Sequence, residues 1–277
     1  MKTPALALVD GNVRPIEQAK IPVSDNGYLL GDGVFETMRT KRDSSLFFPE
    51  LHLKRAQNGL KKIFIDTEIY DDFIEYSQLL AKEATKQIGN DLYIRINIST
   101  GSGYDWGNKP KLVFTGIARS LPEENPLPLS CQTYRGFSER HTLSDVKSLS
   151  YVRSAALRRK VRELAVDDLI IVNSENYVVE ASMSNVIARK GNIIYAPGTE
   201  SGALPGITRQ LIIDRLIDKS IYKIEEKLSL ETLLRSDEVL LTSSISGVRR
   251  VSQINQTKYT SKSLFDKLSQ SYENLLS

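Results

Sequence analysis

The strongest local signal for chemistry is the run Gly202-Ala203-Leu204-Pro205-Gly206-Ile207-Thr208-Arg209. A Gly/Pro loop enters an apolar-periodic segment directly, so the backbone N–H groups of Ile207 and Thr208 have no intrahelical partner and face the positive end of a helix. Such a terminus binds phosphate, and the Thr208 hydroxyl adds a donor; a loop of this kind also serves simply to cap a helix. The run matches neither the nucleoside-triphosphatase phosphate loop nor the G-x-G-x-x-G dinucleotide fingerprint. Leu241-Thr242-Ser243-Ser244 repeats the pattern at a strand end, where hydroxyls and N–H groups face an anion or form a polar turn. Arg55 stands beside the apolar stripe of a predicted helix, and arginine's planar fork suits a phosphate dianion. Tyr177-Val178-Val179-Glu180-Ala181-Ser182 sets a carboxylate at the end of an apolar strand, where it could keep a heterocyclic nitrogen protonated. Asp145-Val146-Lys147-Ser148-Leu149-Ser150-Tyr151 precedes a helix and offers Lys147, an amine that must lose its proton before it can act as nucleophile or base.

The elements that must position these groups are legible from periodicity. Asp10-Gly11-Asn12 reads as a hairpin turn after the short apolar stretch Ala5 to Val9. Val34 to Arg39 alternates as a half-buried strand does. Pro49 opens a helix with Leu53, Ala56, Leu60 and Ile63 on one face, and a second helix is predicted from Asp71 to Lys86. Leu92 to Ser99 is a strand with Leu92, Ile94, Ile96 and Ile98 on one face and Tyr93, Arg95 and Asn97 on the other; Lys111 to Ala118 is another. Residues 121–128 carry three prolines and break every period, which marks a linker between an N-terminal α/β domain, residues 1–120, and a C-terminal α/β domain, residues 129–277. The second half reads as a helix from Tyr151 to Leu164, strands at 169–173, 177–180, 185–189, 193–195 and 238–242, a helix from Ile207 to about Ser220, and a C-terminal helix from Ser261 to Leu276.

Composition excludes several alternatives. With one cysteine, Cys131, and two histidines, His52 and His141, the chain cannot build a Cys/His zinc site or an internal disulfide. A net charge of +3 over 277 residues does not suit a protein built around nucleic acid. Arg153, Arg158, Arg159, Lys160 and Arg162 form the solvated face of a helix at that spacing. No apolar run spans a bilayer, and the cytoplasm is the expected location. A hydrolase built on His141 and a serine has no G-x-S-x-G elbow to support it.

Together these pieces resemble the class IV aminotransferase family, the fold type IV pyridoxal-phosphate enzymes. The matching segments, in the family's order, are Gly31-Asp32-Gly33-Val34-Phe35-Glu36-Thr37, His52-Leu53-Lys54-Arg55, Tyr93-Ile94-Arg95, Val146-Lys147-Ser148-Leu149, Glu180-Ala181-Ser182-Met183-Ser184-Asn185 and Leu204-Pro205-Gly206-Ile207-Thr208-Arg209. The resemblance implies pyridoxal 5'-phosphate bound as a Schiff base on Lys147, Glu180 on the pyridine nitrogen, Leu204 against the ring, and Arg55, Ile207, Thr208 and Ser244 on the phosphate. It implies a two-domain α/β fold like that of the D-amino-acid aminotransferases, and a homodimer with the active site between domains. Within the family, Gly31 to Thr37 looks more like the aminodeoxychorismate lyases of the folate route, which release pyruvate and 4-aminobenzoate, than like the branched-chain transaminases with their Phe-Glu-Gly-Ile-Arg. Ser99-Thr100-Gly101-Ser102-Gly103-Tyr104 is similar to the lyases' Arg-Gly-Ser-Gly-Gly-Arg-Gly-Tyr loop but lacks both arginines, which leaves Arg95 to receive a substrate carboxylate. An amino-acid transaminase, of D-amino-acid or branched-chain type, is the alternative.

Overall fold

The computed structural model describes residues 6–103, 110–123, 125–136 and 142–276. Ala5, Tyr104, Glu124 and His141, which enter the readings above, lie outside the described residues. The chain forms two compact units, one of Met1–Glu123, Val146–Tyr151 and Leu276–Ser277, the other of Glu124–Asp145 and Val152–Leu275.

The first unit is an antiparallel sheet backed by helices. Its strands β1 (Leu6–Val9), β2 (Asn12–Pro15), β3 (Gly33–Arg39), β4 (Leu92–Ser99) and β5 (Val113–Ser120) run in the order β2-β1-β5-β4-β3. Strand β5 lies two residues beyond the predicted stretch, with Phe114 and Ala118 buried. A short helix, α1 (Asn26–Leu29), is capped by the Asp25 side chain; α2 (Pro49–Lys62) starts on its proline, and α3 (Tyr70–Ile88) ends at Gly89. Leu53, Ala56 and Leu60 of α2 and Phe73, Leu80, Ala81 and Ala84 of α3 pack on Val34, Met38, Ile94, Ile96 and Ile98 in one core. That face of the sheet is dry. The opposite face carries Phe35, Thr37 and Arg39 of β3, Tyr93, Arg95 and Asn97 of β4, and Thr115, Ile117 and Arg119 of β5.

Val146–Tyr151, which the sequence boundaries assign to the second domain, packs with the first. Val146 is buried in the same core as Val34 and Leu60. Beyond it the chain pairs with the outer edge of β3: the Phe35 amide donates to the Lys147 carbonyl at 2.8 Å and the Leu149 amide to the Gly33 carbonyl at 3.0 Å. The pairing explains the glycines on either side of Asp32. Gly33 has φ 140°, and a Cβ there would run into the Ile98 carbonyl and come within 2.9 Å of Leu149 Cδ1; at Gly31, φ 69°, it would lie 2.8 Å from Ser150 Cα. A larger residue at Gly31 would press on the Ser150 backbone, and one at Gly33 on the Ile98 carbonyl of β4 as well as on Leu149.

The second unit holds a larger mixed sheet. Its strands are β6 (Leu129–Arg135), β7 (Asp168–Val172), β8 (Val178–Ala181), β9 (Asn185–Lys190), β10 (Ile193–Tyr195), β11 (Lys223–Glu225), β12 (Glu238–Ser243), β13 (Gly247–Ile254) and β14 (Thr257–Lys258). They run β11-β10-β9-β12-β13-β6-β7-β8, with β14 on β13. Helix α4 (Val152–Glu163) buries Leu157 and Val161 against Leu169, Ile171 and Val179. Helix α5 (Ile207–Leu211) is shorter than the predicted stretch to Ser220. It passes into a π-helical turn over Ile212–Leu216, closed by the Ile217 amide on the Ile212 carbonyl at 2.9 Å. After α6 (Leu230–Leu234) the chain ends in α7 (Ser263–Leu276), whose first amides, Leu264 and Phe265, donate to the buried Glu238 carboxylate at 3.1 and 2.7 Å. Among the described residues no helix is long and apolar enough to cross a membrane.

Candidate active site

The residues singled out from sequence divide between the units: Arg55, Arg95 and Lys147 belong to the first, and Glu180, Leu204, Ile207, Thr208 and Ser244 to the second.

In the first unit Lys147 is anchored by its own main chain on β3 and directs its amine at aromatic rings. Nζ lies 4.4 Å from the centroid of Phe35 and 6.0 Å from that of Tyr151. The two rings meet edge to face at 5.0 Å. Arg95 shares the Phe35 ring, its guanidinium carbon 3.7 Å from the centroid, and its Nε donates to Asn97 Oδ1 at 2.7 Å. Asn97 in turn donates to Thr115 Oγ1 at 3.2 Å, so Arg95 is held at a fixed angle over Phe35. Phe35 thus carries the Lys147 amine and the Arg95 guanidinium on one ring, an arrangement that favours a partly desolvated cation.

Arg55 has a partner that periodicity did not assign. The strand reading makes Glu36 one of an alternating set; the structure turns it to the helix side, where it is 1% exposed between Val34 and Met38. Arg55 Nε and Nη2 each donate to one Glu36 oxygen at 2.7 Å, and His52 Nδ1 lies 2.7 Å from Oε2. Burial alone would raise the Glu36 pKa, but the charge and hydrogen bonds of Arg55, with those of His52, override it and hold the carboxyl at about 2. Burial keeps His52 neutral by pushing its pKa down, against the pull of Glu36, so Nδ1–H donates to the carboxylate. One edge of the Arg55 fork is therefore fixed from below by an ionised carboxylate.

In the second unit the predicted groups are linked through backbone. Glu180, at the end of β8, accepts the Leu204 amide on Oε2 at 3.0 Å. The Leu204 carbonyl accepts from Asn185 Nδ2 at 2.9 Å. This fastens the Gly/Pro loop to β9 just before α5 begins at Ile207. Thr208 is 2% exposed and its hydroxyl lies 3.4 Å from the buried Tyr272 hydroxyl of α7, a neighbour with no signal in the local sequence. Ser244 opens the turn between β12 and β13, a turn closed by the Ser246 amide on Ser243 Oγ at 3.1 Å. Thr242, opposite Asn185 in the β9–β12 register, keeps a buried hydroxyl without a partner. The donor set fits a phosphate ester: two leading helix amides, the hydroxyls of Thr208 and Ser244, and a spare one at Thr242. A carboxylate braced by the same loop fits a protonated ring nitrogen.

A profile of the amino-transferase class IV family matches residues 33–254. The chain is similar to the aminodeoxychorismate lyase of Bacillus subtilis, 29% identical over 262 residues that cover 92% of this chain and 88% of that protein. It is similar also to a D-alanine aminotransferase of Staphylococcus epidermidis, 27% identical over 254 residues, 89% of this chain and 88% of that one. In fold it resembles the branched-chain amino acid aminotransferase of Escherichia coli, with TM-score 0.86 at 20% identity over 99% of this chain and 95% of that one. The fold IV transaminase CpuTA1 of Curtobacterium pusillum aligns with TM-score 0.84 at 21% identity, over 98% of this chain and 97% of that one. The family's enzymes work with pyridoxal phosphate, and the chain belongs to the class IV aminotransferases.

Proposed function

We propose that the enzyme is a lyase of the aminodeoxychorismate type, with Lys147 as the residue that holds the cofactor covalently. The placement of Lys147 carries the assignment: a main chain pinned to β3 through its own carbonyl and the Leu149 amide, and an amine aimed along an aromatic wall. Bound pyridoxal phosphate supplies an electron sink that lets a bond break at the carbon next to the substrate's nitrogen. Lys147 would hold the cofactor through its amine and, when its amine is free, would move a proton at the substrate carbon next to the nitrogen. Glu180 holds the proton on the ring nitrogen, and its bond from the Leu204 amide orients it for that task. Arg55, Ile207, Thr208 and Ser244 bind the phosphate, Leu204 lies against the ring, and Arg95 takes a substrate carboxylate.

The motif Gly31 to Thr37 and the likeness to the Bacillus subtilis lyase support the lyase reading. The missing loop arginines in Ser99 to Gly103 favour a transaminase instead. The lyase releases pyruvate from 4-amino-4-deoxychorismate with no keto acid present; a transaminase turns over only when an acceptor is supplied. Cofactor-loaded protein that yields no pyruvate under these conditions excludes the lyase.

The same reading makes the protein a cytoplasmic homodimer. Ile21, Val23, Tyr28, Leu29 and Leu30 are exposed by 44, 80, 68, 43 and 44%, an apolar run that supports burial against a second copy. Sedimentation equilibrium at micromolar concentration is expected to return twice the mass of 31.1 kDa; a monomer there contradicts it.

A further inference from the structure

Helix α7 docks on the second unit along one face: Leu264, Leu268 and Tyr272 recur at four-residue spacing and are all buried. Its first turn is fastened to β12 by the Glu238 carboxylate, which also accepts from Ser261 Oγ at 3.1 Å. With that turn held, Tyr272 reaches both segments proposed to bind the phosphate. Its hydroxyl lies 3.4 Å from Thr208 Oγ1, although the two residues are 64 apart in sequence. On the other side stands Gly247, paired with Ser243 across the turn that carries Ser244. A Cβ on Gly247, where φ is 58°, would come within 3.0 Å of Tyr272 Cε1 and 3.3 Å of Cδ1, so the ring edge lies directly behind that turn.

A hydroxyl has one proton to give and two lone pairs that accept. A phosphate dianion only accepts, so Thr208 serves it with the proton turned outward. The contact with Tyr272 must then run the other way, with the phenol donating, and in a buried chain of this kind each bond strengthens the next. We infer that Tyr272 is a positioning residue for the phosphate: its O–H donates to Thr208 Oγ1 and turns the Thr208 proton toward the ester, with its ring fixed against the turn of Ser244. The inference rests on the proposed phosphate role of Thr208 and adds the C-terminal helix to that site.

The full-length protein, freed of bound cofactor, is titrated by absorbance with pyridoxal phosphate and, in parallel, with pyridoxal, which has the same ring and aldehyde but no phosphate. Tyr272→Phe keeps the ring and removes the hydroxyl. It is expected to weaken pyridoxal phosphate about three- to tenfold and to leave pyridoxal unchanged. Thr208→Val should weaken pyridoxal phosphate at least as much, and Thr208→Ala takes its place if the valine variant does not fold. Adding Tyr272→Phe to either should cost nothing more, because the phenol acts through the threonine. Native affinity for pyridoxal phosphate in Tyr272→Phe overturns the inference. So does an equal loss for both ligands, or a loss in the double variant that equals the two single losses combined. Native affinity in the Thr208 variant defeats the phosphate role of Thr208, and the inference with it. A loss in the Thr208 variant with none in Tyr272→Phe defeats the inference alone.

Discussion

Lys147→Ala is expected to cost roughly 10²- to 10⁴-fold in turnover, the range lost when a positioned proton-transfer group is removed. Borohydride followed by peptide mapping should leave the pyridoxyl label on Lys147 in the native protein and nowhere in the variant. The fold has little reason to suffer. The hydrogen bond tying this residue to β3 runs through its carbonyl, and Val146, not Lys147, fills the core. In the proposed reading the phosphate and ring contacts come from other groups, so the variant should still take up cofactor reversibly. Label on a different lysine, or turnover within a few-fold of native, would refute the assignment of Lys147.

Glu36→Gln should produce the largest loss of stability from a single polar substitution. The carboxylate is fully buried and satisfies Arg55 through both oxygens as well as His52. Removing one partner of a buried pair strands the other charge, at a cost of about 3 kcal/mol or more. The pH dependence has a definite sign. The Glu36 pKa falls from 4.5 to about 2 on folding, so the unfolded chain takes the proton first as acid is added. Its contribution is complete above pH 4.5 and drains away between there and about 2. His52 is also lowered from 6.5, so it too favours the unfolded state in acid, beginning at a higher pH. Urea melts from pH 7 to pH 2 should therefore show native stability declining first below about 6.5 and again below 4.5. Glu36→Gln should begin lower and lack the second decline. A variant as stable as native at pH 7, with the same acid profile, would show that the cluster contributes nothing.

This cluster also marks how far sequence reasoning reached. Helices α2 and α3 and strands β3, β4 and β10 were readable because their apolar residues repeat at the period of the element. Strands β6 and β13 were not. Leu-Ser-Cys-Gln-Thr-Tyr-Arg buries only Cys131, and Gly247 to Ile254 alternates irregularly around a register shift between Val251 and Gln253. They pair with each other across more than a hundred residues in the middle of the second sheet, a contact that no local pattern shows. The site shows the same division. Lys147, Glu180 and the loop before α5 are singled out because order and motif mark them. Glu36 reads as an ordinary strand glutamate, since alternation assigns it a face but cannot tell which face is dry. Nor could the period show that Phe35 would hold Lys147 and Arg95 on one ring, or that Tyr272 would stand behind Thr208.

The return of Val146–Tyr151 to the first unit bears on how the chain can be made. As the polypeptide leaves the ribosome, strands β1 to β5 and both covering helices are complete once residue 120 has emerged. The outer edge of β3 then still shows unpaired N–H and C=O groups, and the slot for Val146 is vacant. Neither can be filled until some thirty more residues follow, since the pairing partners are Lys147 and Leu149. An open strand edge is the feature that nascent chains most readily share with one another. Protection of that edge thus arrives together with the lysine proposed to hold the cofactor, and a nascent chain with that lysine unplaced is also one with its sheet unsealed.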